Sequence, residues 1–165
     1  MFEVNDYVFY GSCGVCRIDR ICEEPTPEAA KGVLYYVLTT LTEPKQTILN
    51  PVANERVFMR YVMTKEECEA FFGILPTLPT LTGGNAKVLR EQYIGAMKSS
   101  LPSTWGQVMR TFRARLHLAE AKLVRVTDAE RNFYEAARRN LGAEISLALG
   151  ISQREAEERL HHALD

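Results

Sequence analysis

The sequence predicts an α+β chain in which a small antiparallel β module is followed by an all-α helical bundle. Three observations predict it. The first 62 positions read as short strands and turns, and Val15-Cys16-Arg17-Ile18-Asp19-Arg20-Ile21 alternates apolar with polar at period two. After Met63 the apolar spacing lengthens to the 3.6-residue period of a helix. Five helix-start signals, at Thr64, Asn85, Pro102, Thr127 and Ser152, punctuate the second part. The expected division is residues 1–62 and residues 63–165.

The β part reads as short strands joined by turns. Asp6-Tyr7-Val8-Phe9-Tyr10 is aromatic and β-branched, Gly11-Ser12-Cys13-Gly14 is a turn, and the alternating run after it is a half-buried strand. Pro25-Thr26-Pro27 opens a loop, Leu34 to Thr40 is a third strand, Thr47 to Pro51 a fourth, and Val57 to Arg60 a short fifth. Several strands in so little chain imply a strongly bent sheet or barrel whose edges must be capped or paired.

The helical part begins with the capping box Thr64-Lys65-Glu66-Glu67 and carries Cys68, Phe71, Phe72 and Leu75 on one face. Leu75 to Gly84, with two prolines and a glycine pair, breaks regular structure and is expected to be the hinge. Asn85 to Ser99 is a helix with Leu89, Tyr93 and Met97 on one side. A helix from Pro102 bears a stripe of Trp105, Val108 or Met109, Phe112, Leu116, Ala119 and Leu123. Trp105 reads as core within this stripe. Thr127-Asp128-Ala129-Glu130 and Ser152-Gln153-Arg154-Glu155 are two more capping boxes, opening helices that run to Leu149 and Ala163.

Composition narrows the function. The 165 residues are 46% hydrophobic and 25% charged, an ordinary globular balance. No stretch approaches the roughly 20 apolar residues that span a bilayer, and Met1 to Asp6 lacks the features of a signal peptide. The expectation is a soluble cytoplasmic protein without membrane contact. The net charge of −1 conceals an asymmetry. Between Lys87 and Arg139 the chain has 11 basic and 5 acidic residues, a local excess of +6. Such an excess suits a polyanion such as DNA, and it equally describes a solvated helix face.

Catalytic signatures are missing from the sequence. It has no phosphate-cradling glycine loop, no His-Glu-x-x-His and no Gly-x-Ser-x-Gly, so the expectation is a non-enzyme without cofactor or metal. Cys13-Gly14-Val15-Cys16 is a single Cys-x-x-Cys, far in sequence from His117, His161 and His162. Cys13, Cys16, Cys22 and Cys68 read as small buried hydrophobes on strands, against a thiol or zinc sensor built on the first two. His161 and His162 read as exposed residues at a helix C-terminus.

Phe2 to Tyr10 with Gly14-Val15, then Tyr35-Tyr36-Val37-Leu38, Ile48 to Asn54 and Val57-Phe58-Met59-Arg60, together resemble the CarD-like family of bacterial transcription regulators. The N-terminal module of that family is shared with transcription-repair coupling factors. Thr127 to Arg131, with Ala136 to Leu141, resembles one of the family's helices. The resemblance implies a Tudor-like β module at residues 1–62 that binds the β subunit of RNA polymerase, and a helical domain at residues 63–165 that contacts promoter DNA without reading its sequence. It implies a monomer acting on open-complex stability.

On this reading the edge strand Thr47, Ile48, Leu49, Asn50 and Pro51 makes the polymerase contact by strand addition. Lys87, Arg90 and Arg131, with Arg138 and Arg139, meet DNA phosphates. The sequence departs from the family pattern in three places. Ala86 follows Asn85 where relatives carry a wedging tryptophan, Leu49 stands where relatives can carry a basic residue, and the Leu116 to Val126 connection is longer. The departures leave room for an adaptor that binds polymerase without engaging DNA.

Overall fold

The computed structural model describes residues 1–165, apart from the side chain of Ser12. The chain forms two compact units, Met1–Val62 and Met63–Asp165.

The first unit is one antiparallel sheet of five strands: β1 Tyr7–Tyr10, β2 Gly14–Glu23, β3 Leu34–Thr40, β4 Thr47–Pro51 and β5 Met59–Tyr61. Their spatial order is β4-β3-β2-β1-β5, so the sheet has two edges and is not closed into a barrel. A single 3-10 turn, Gly11–Cys13, joins β1 to β2. Gly14 leaves it at φ 83°, a left-handed conformation that glycine adopts without a Cβ penalty. The predicted fifth strand sits two residues later than Val57, at Met59, because Gly11 N–H donates to the Phe58 carbonyl and pairing starts only beyond it.

Period-two alternation places Val8, Tyr10, Cys16, Ile18, Tyr36 and Leu38 in one buried cluster, flanked by Phe2, Ile48 and Val52. The register of β2 on β3 shifts between Ile18 and Arg20. At this irregularity Asp19 accepts a hydrogen bond from the Thr39 hydroxyl and another from Arg17 Nε at 2.9 Å. Those bonds hold the Asp19 carboxyl below its ordinary pKa, Thr39 contributing most.

The second unit consists of α1 Lys65–Ile74, α2 Ala86–Lys98, α3 Pro102–Glu120, α4 Asp128–Leu149 and α5 Gln153–Ala163. The long α4 packs on each of the other four. Its buried stripe of Tyr134, Ala137, Leu141 and Ile145 meets Trp105, Val108, Met109 and Phe112 of α3 and Ala156 and Leu160 of α5 in the unit's core. Close approach needs two glycines. A Cβ on Gly106 would stand 2.6 Å from Leu78, and one on Gly142 would stand 2.6 Å from Glu157.

Three expectations need correction. The Leu75 to Gly84 segment is not a hinge: Leu75 is fully buried, Leu81 N–H donates to Thr111 Oγ1 at 2.8 Å, and Arg110 donates to the Leu78 carbonyl. Prolines stopped helix formation there without stopping packing, and the segment lies wholly within the second unit, Met63–Asp165. The α3 stripe does not reach Leu123, which is 70% exposed beyond the helix end. A left-handed Lys122 (φ 59°) turns the chain before the next apolar position can face inward. Ser152 does accept from Glu155 N–H at 3.1 Å, but the returning half of the box is absent among the described residues, and Glu155 lies 3.7 Å from Arg159 instead.

Candidate binding surfaces

In the first unit the five positions Thr47 to Pro51 form β4, which pairs with β3 on one side only. Antiparallel pairing alternates bonded and non-bonded positions. Thr40 N–H donates to the Gln46 carbonyl and Val52 N–H to the Leu34 carbonyl, so the bonded phase falls on Gln46, Ile48, Asn50 and Val52. Thr47, Leu49 and Pro51 therefore turn their backbone groups outward. Thr47 and Leu49 each offer an N–H and a carbonyl, whereas Pro51 has no N–H and its carbonyl already accepts from Asn54 N–H at 2.9 Å. Side chains on this strand divide the same way. Asn50 is 3% exposed and its Oδ1 accepts from Asn54 Nδ2 at 2.7 Å, which ties down the following loop. Ile48 packs on the core, leaving main-chain groups as what the edge presents.

The cysteines fall in two places. Cys16, on β2, and Cys68, on α1, are fully buried, and burial pushes both thiols up to about 12. Protonated thiols in such surroundings are packing groups. Cys68 lies on α1, on the face read from the Thr64 capping box, so the strand reading of the four cysteines does not extend to it. Cys13 and Cys22 are half-buried. Among the described residues no three His, Cys, Asp or Glu side chains are grouped to hold a metal ion, and no helix is long and apolar enough to cross a membrane.

In the second unit Lys87 and Arg90 project from the first turns of α2, whose start is capped by Asn85 Oδ1 accepting from Val88 N–H at 3.0 Å. Both line a cavity of about 480 Å³ together with Arg115 of α3 and Arg125 from the α3–α4 connection. Arg131 sits one turn into α4, exposed, with its guanidinium 5.5 Å from the centre of the Phe112 ring. Arg138 is already committed: it lies 2.7 Å from Glu135 and 3.5 Å from Glu157, with the Tyr134 ring 5.9 Å away. Arg139 is exposed and makes no ion pair among the described residues. The five predicted cations thus divide. Lys87 and Arg90 share one cavity, Arg131 and Arg139 stand separately, and Arg138 ties α4 to α5.

Sequence reading missed Glu130 as an organising group. It is 6% exposed, and both its oxygens are used. One accepts from Thr127 N–H at 2.9 Å, completing the capping box, and the other accepts from Arg115 Nε and lies 3.5 Å from the Tyr93 hydroxyl. Burial, followed by the nearby Glu130 charge, raises the Tyr93 pKa, so the phenol stays a donor. The capping box was visible locally. Its extension to Arg115 and Tyr93 needs contacts 15 and 37 residues away in sequence, which no local pattern encodes.

Residues 2–63 match the family model described as CarD-like/TRCF RID domain. The match takes in the whole five-stranded sheet. No curated protein matches the chain.

Proposed function

We propose that this chain, which belongs through residues 2–63 to the CarD-like/TRCF RID domain family, is a transcription regulator bridging RNA polymerase and promoter DNA. The family match carries the polymerase half of this reading, and a domain of that kind is a non-enzymatic binding domain for RNA polymerase. The β4 edge then takes a strand of the polymerase β subunit through the outward groups of Thr47 and Leu49.

The DNA half rests on Lys87, Arg90, Arg131 and Arg139, which are exposed and free of acidic partners among the described residues. Charges in this state can exchange counterions for phosphates. Arg138, held between two carboxylates, adds position more than free charge. Open-complex stability changes when these contacts form better on melted than on closed promoter DNA, because a ligand shifts an equilibrium only by its differential affinity.

A two-partner measurement tests the bridge. Arg131→Ala weakens promoter-complex affinity while leaving binding to a polymerase β fragment unchanged, and promoter affinity falls steeply as salt is raised. A flat salt response with intact polymerase binding favours instead an adaptor that does not touch DNA. Equal loss of both affinities in Arg131→Ala contradicts the division of labour between the units.

A further inference from the structure

The cavity lined by Lys87 and Arg90 has a construction that surface phosphate binding does not need. At about 480 Å³ it lies within the roughly 300–1,000 Å³ range of small-molecule sites. Its inner wall is apolar and aromatic. Leu89 is 8% exposed, Tyr93 is fully buried, and the Tyr93 and Phe133 rings stack with centroids 5.3 Å apart and planes 10° from parallel. Its rim is cationic: Lys87, Arg90 and Arg125 are exposed and have no ion pair among the described residues. The one carboxylate in the lining, Glu130, is neutralised by Arg115. The start of α4 also borders the cavity through Thr127 and Ala129.

The geometry points to a binding site for a single nucleotide, with its base against the aromatic wall and its phosphate on the Lys87, Arg90 and Arg125 rim. Each part of the cavity selects one part of that ligand. A flat heteroaromatic ring gains stacking and apolar burial on Phe133 and Leu89. A doubly charged phosphate matches three unpaired cations better than a carboxylate does. A saturated acyl chain would desolvate the Arg115–Glu130 pair without offering it a polar group, whereas a base edge carries donors and acceptors. The site shares Lys87 and Arg90 with the proposed promoter contacts, and Arg125, which lies outside them, is the residue that tells the two apart. The nucleotide can be free or part of a single strand, and the chemistry recognised is the same.

Calorimetric titration of the full chain tests the site with adenosine monophosphate, adenosine, inorganic phosphate and a single-stranded tetranucleotide. The expected result is one site per chain, with the monophosphate bound at least tenfold more tightly than either adenosine or phosphate alone. Arg125→Glu, an exposed and unpaired position, weakens it tenfold or more with helicity unchanged, and Phe133→Leu weakens it about threefold while leaving the weak phosphate response as it was. Tetranucleotide binding at least tenfold tighter than the monophosphate identifies a strand as the source; tighter binding of the monophosphate identifies the free nucleotide. The site is overturned if no nucleotide binds, if phosphate binds as well as the monophosphate, or if Arg125→Glu has no effect.

Discussion

The two units present opposite kinds of surface. The strand unit ends in a row of main-chain groups that its own sheet cannot satisfy, whereas the helical unit satisfies its backbone internally and presents side-chain charge. Main-chain groups are alike whatever the sequence, so a strand edge recognises shape and register. Guanidinium groups on helices recognise charge and respond to salt. A chain carrying both can hold two chemically different partners without one surface competing for the other's ligand.

The comparison breaks most visibly in the core. Leu141 is fully buried on α4, and Leu141→Ala should cost about 2–5 kcal/mol in the helical unit. Hydrogen exchange resolved by residue is the check. Protection in Met63–Asp165 should fall while that of β1 to β4 holds, and an equal fall in both units would mean one cooperative block in place of two.

The next effect sharpens the strand side. Leu49→Pro removes an outward N–H while leaving the inward bonds of Ile48 and Asn50 in place. Affinity for a polymerase β fragment should drop about tenfold, or ~1.4 kcal/mol, with the sheet's circular dichroism preserved. Unchanged affinity would move the contact off β4.

Thr127→Ala deletes the cap of α4 and loosens Glu130 from its box. The helical unit should lose about 1 kcal/mol in a denaturant titration, and Thr127→Ser should recover most of it. The smallest effect belongs to Asp19, which stabilises the sheet as a carboxylate. Its folded pKa is lowered, so the contribution is full above the ordinary carboxylate pKa and is lost as pH falls through the depressed value. The group is partly solvated, so the loss should stay under about 1 kcal/mol. Comparing the acid limb of the stability curve with that of Asp19→Asn, whose acid limb should be flatter, measures it.

Much of this contrast was legible in sequence because both signals are local. Period two named β2, aromatic and β-branched content marked β1, and the capping residues Thr64, Asn85 and Thr127 marked three helix starts, since hydrogen bonds three residues apart decide them. The Leu75 to Gly84 segment misled for the same reason. Its prolines and glycines report the local backbone, while its fixation comes from Thr111 and Arg110 about 30 residues away. The cavity was equally hidden. Lys87 and Arg90 stood out as charges, but their neighbours Arg115 and Arg125 arrive from other elements, and only the packing of α2, α3 and α4 brings them to one mouth.

Pro51 carries a consequence for how the chain behaves in a crowd. By withholding an amide at the end of β4 it leaves the edge only two outward donors, Thr47 and Leu49. A guest of three or four residues finds room there, and the opposite edge, β5, is only three residues long, so each edge offers a copy of the sheet a short ladder. The molecule can be hospitable to one visitor without seeding a fibre of itself.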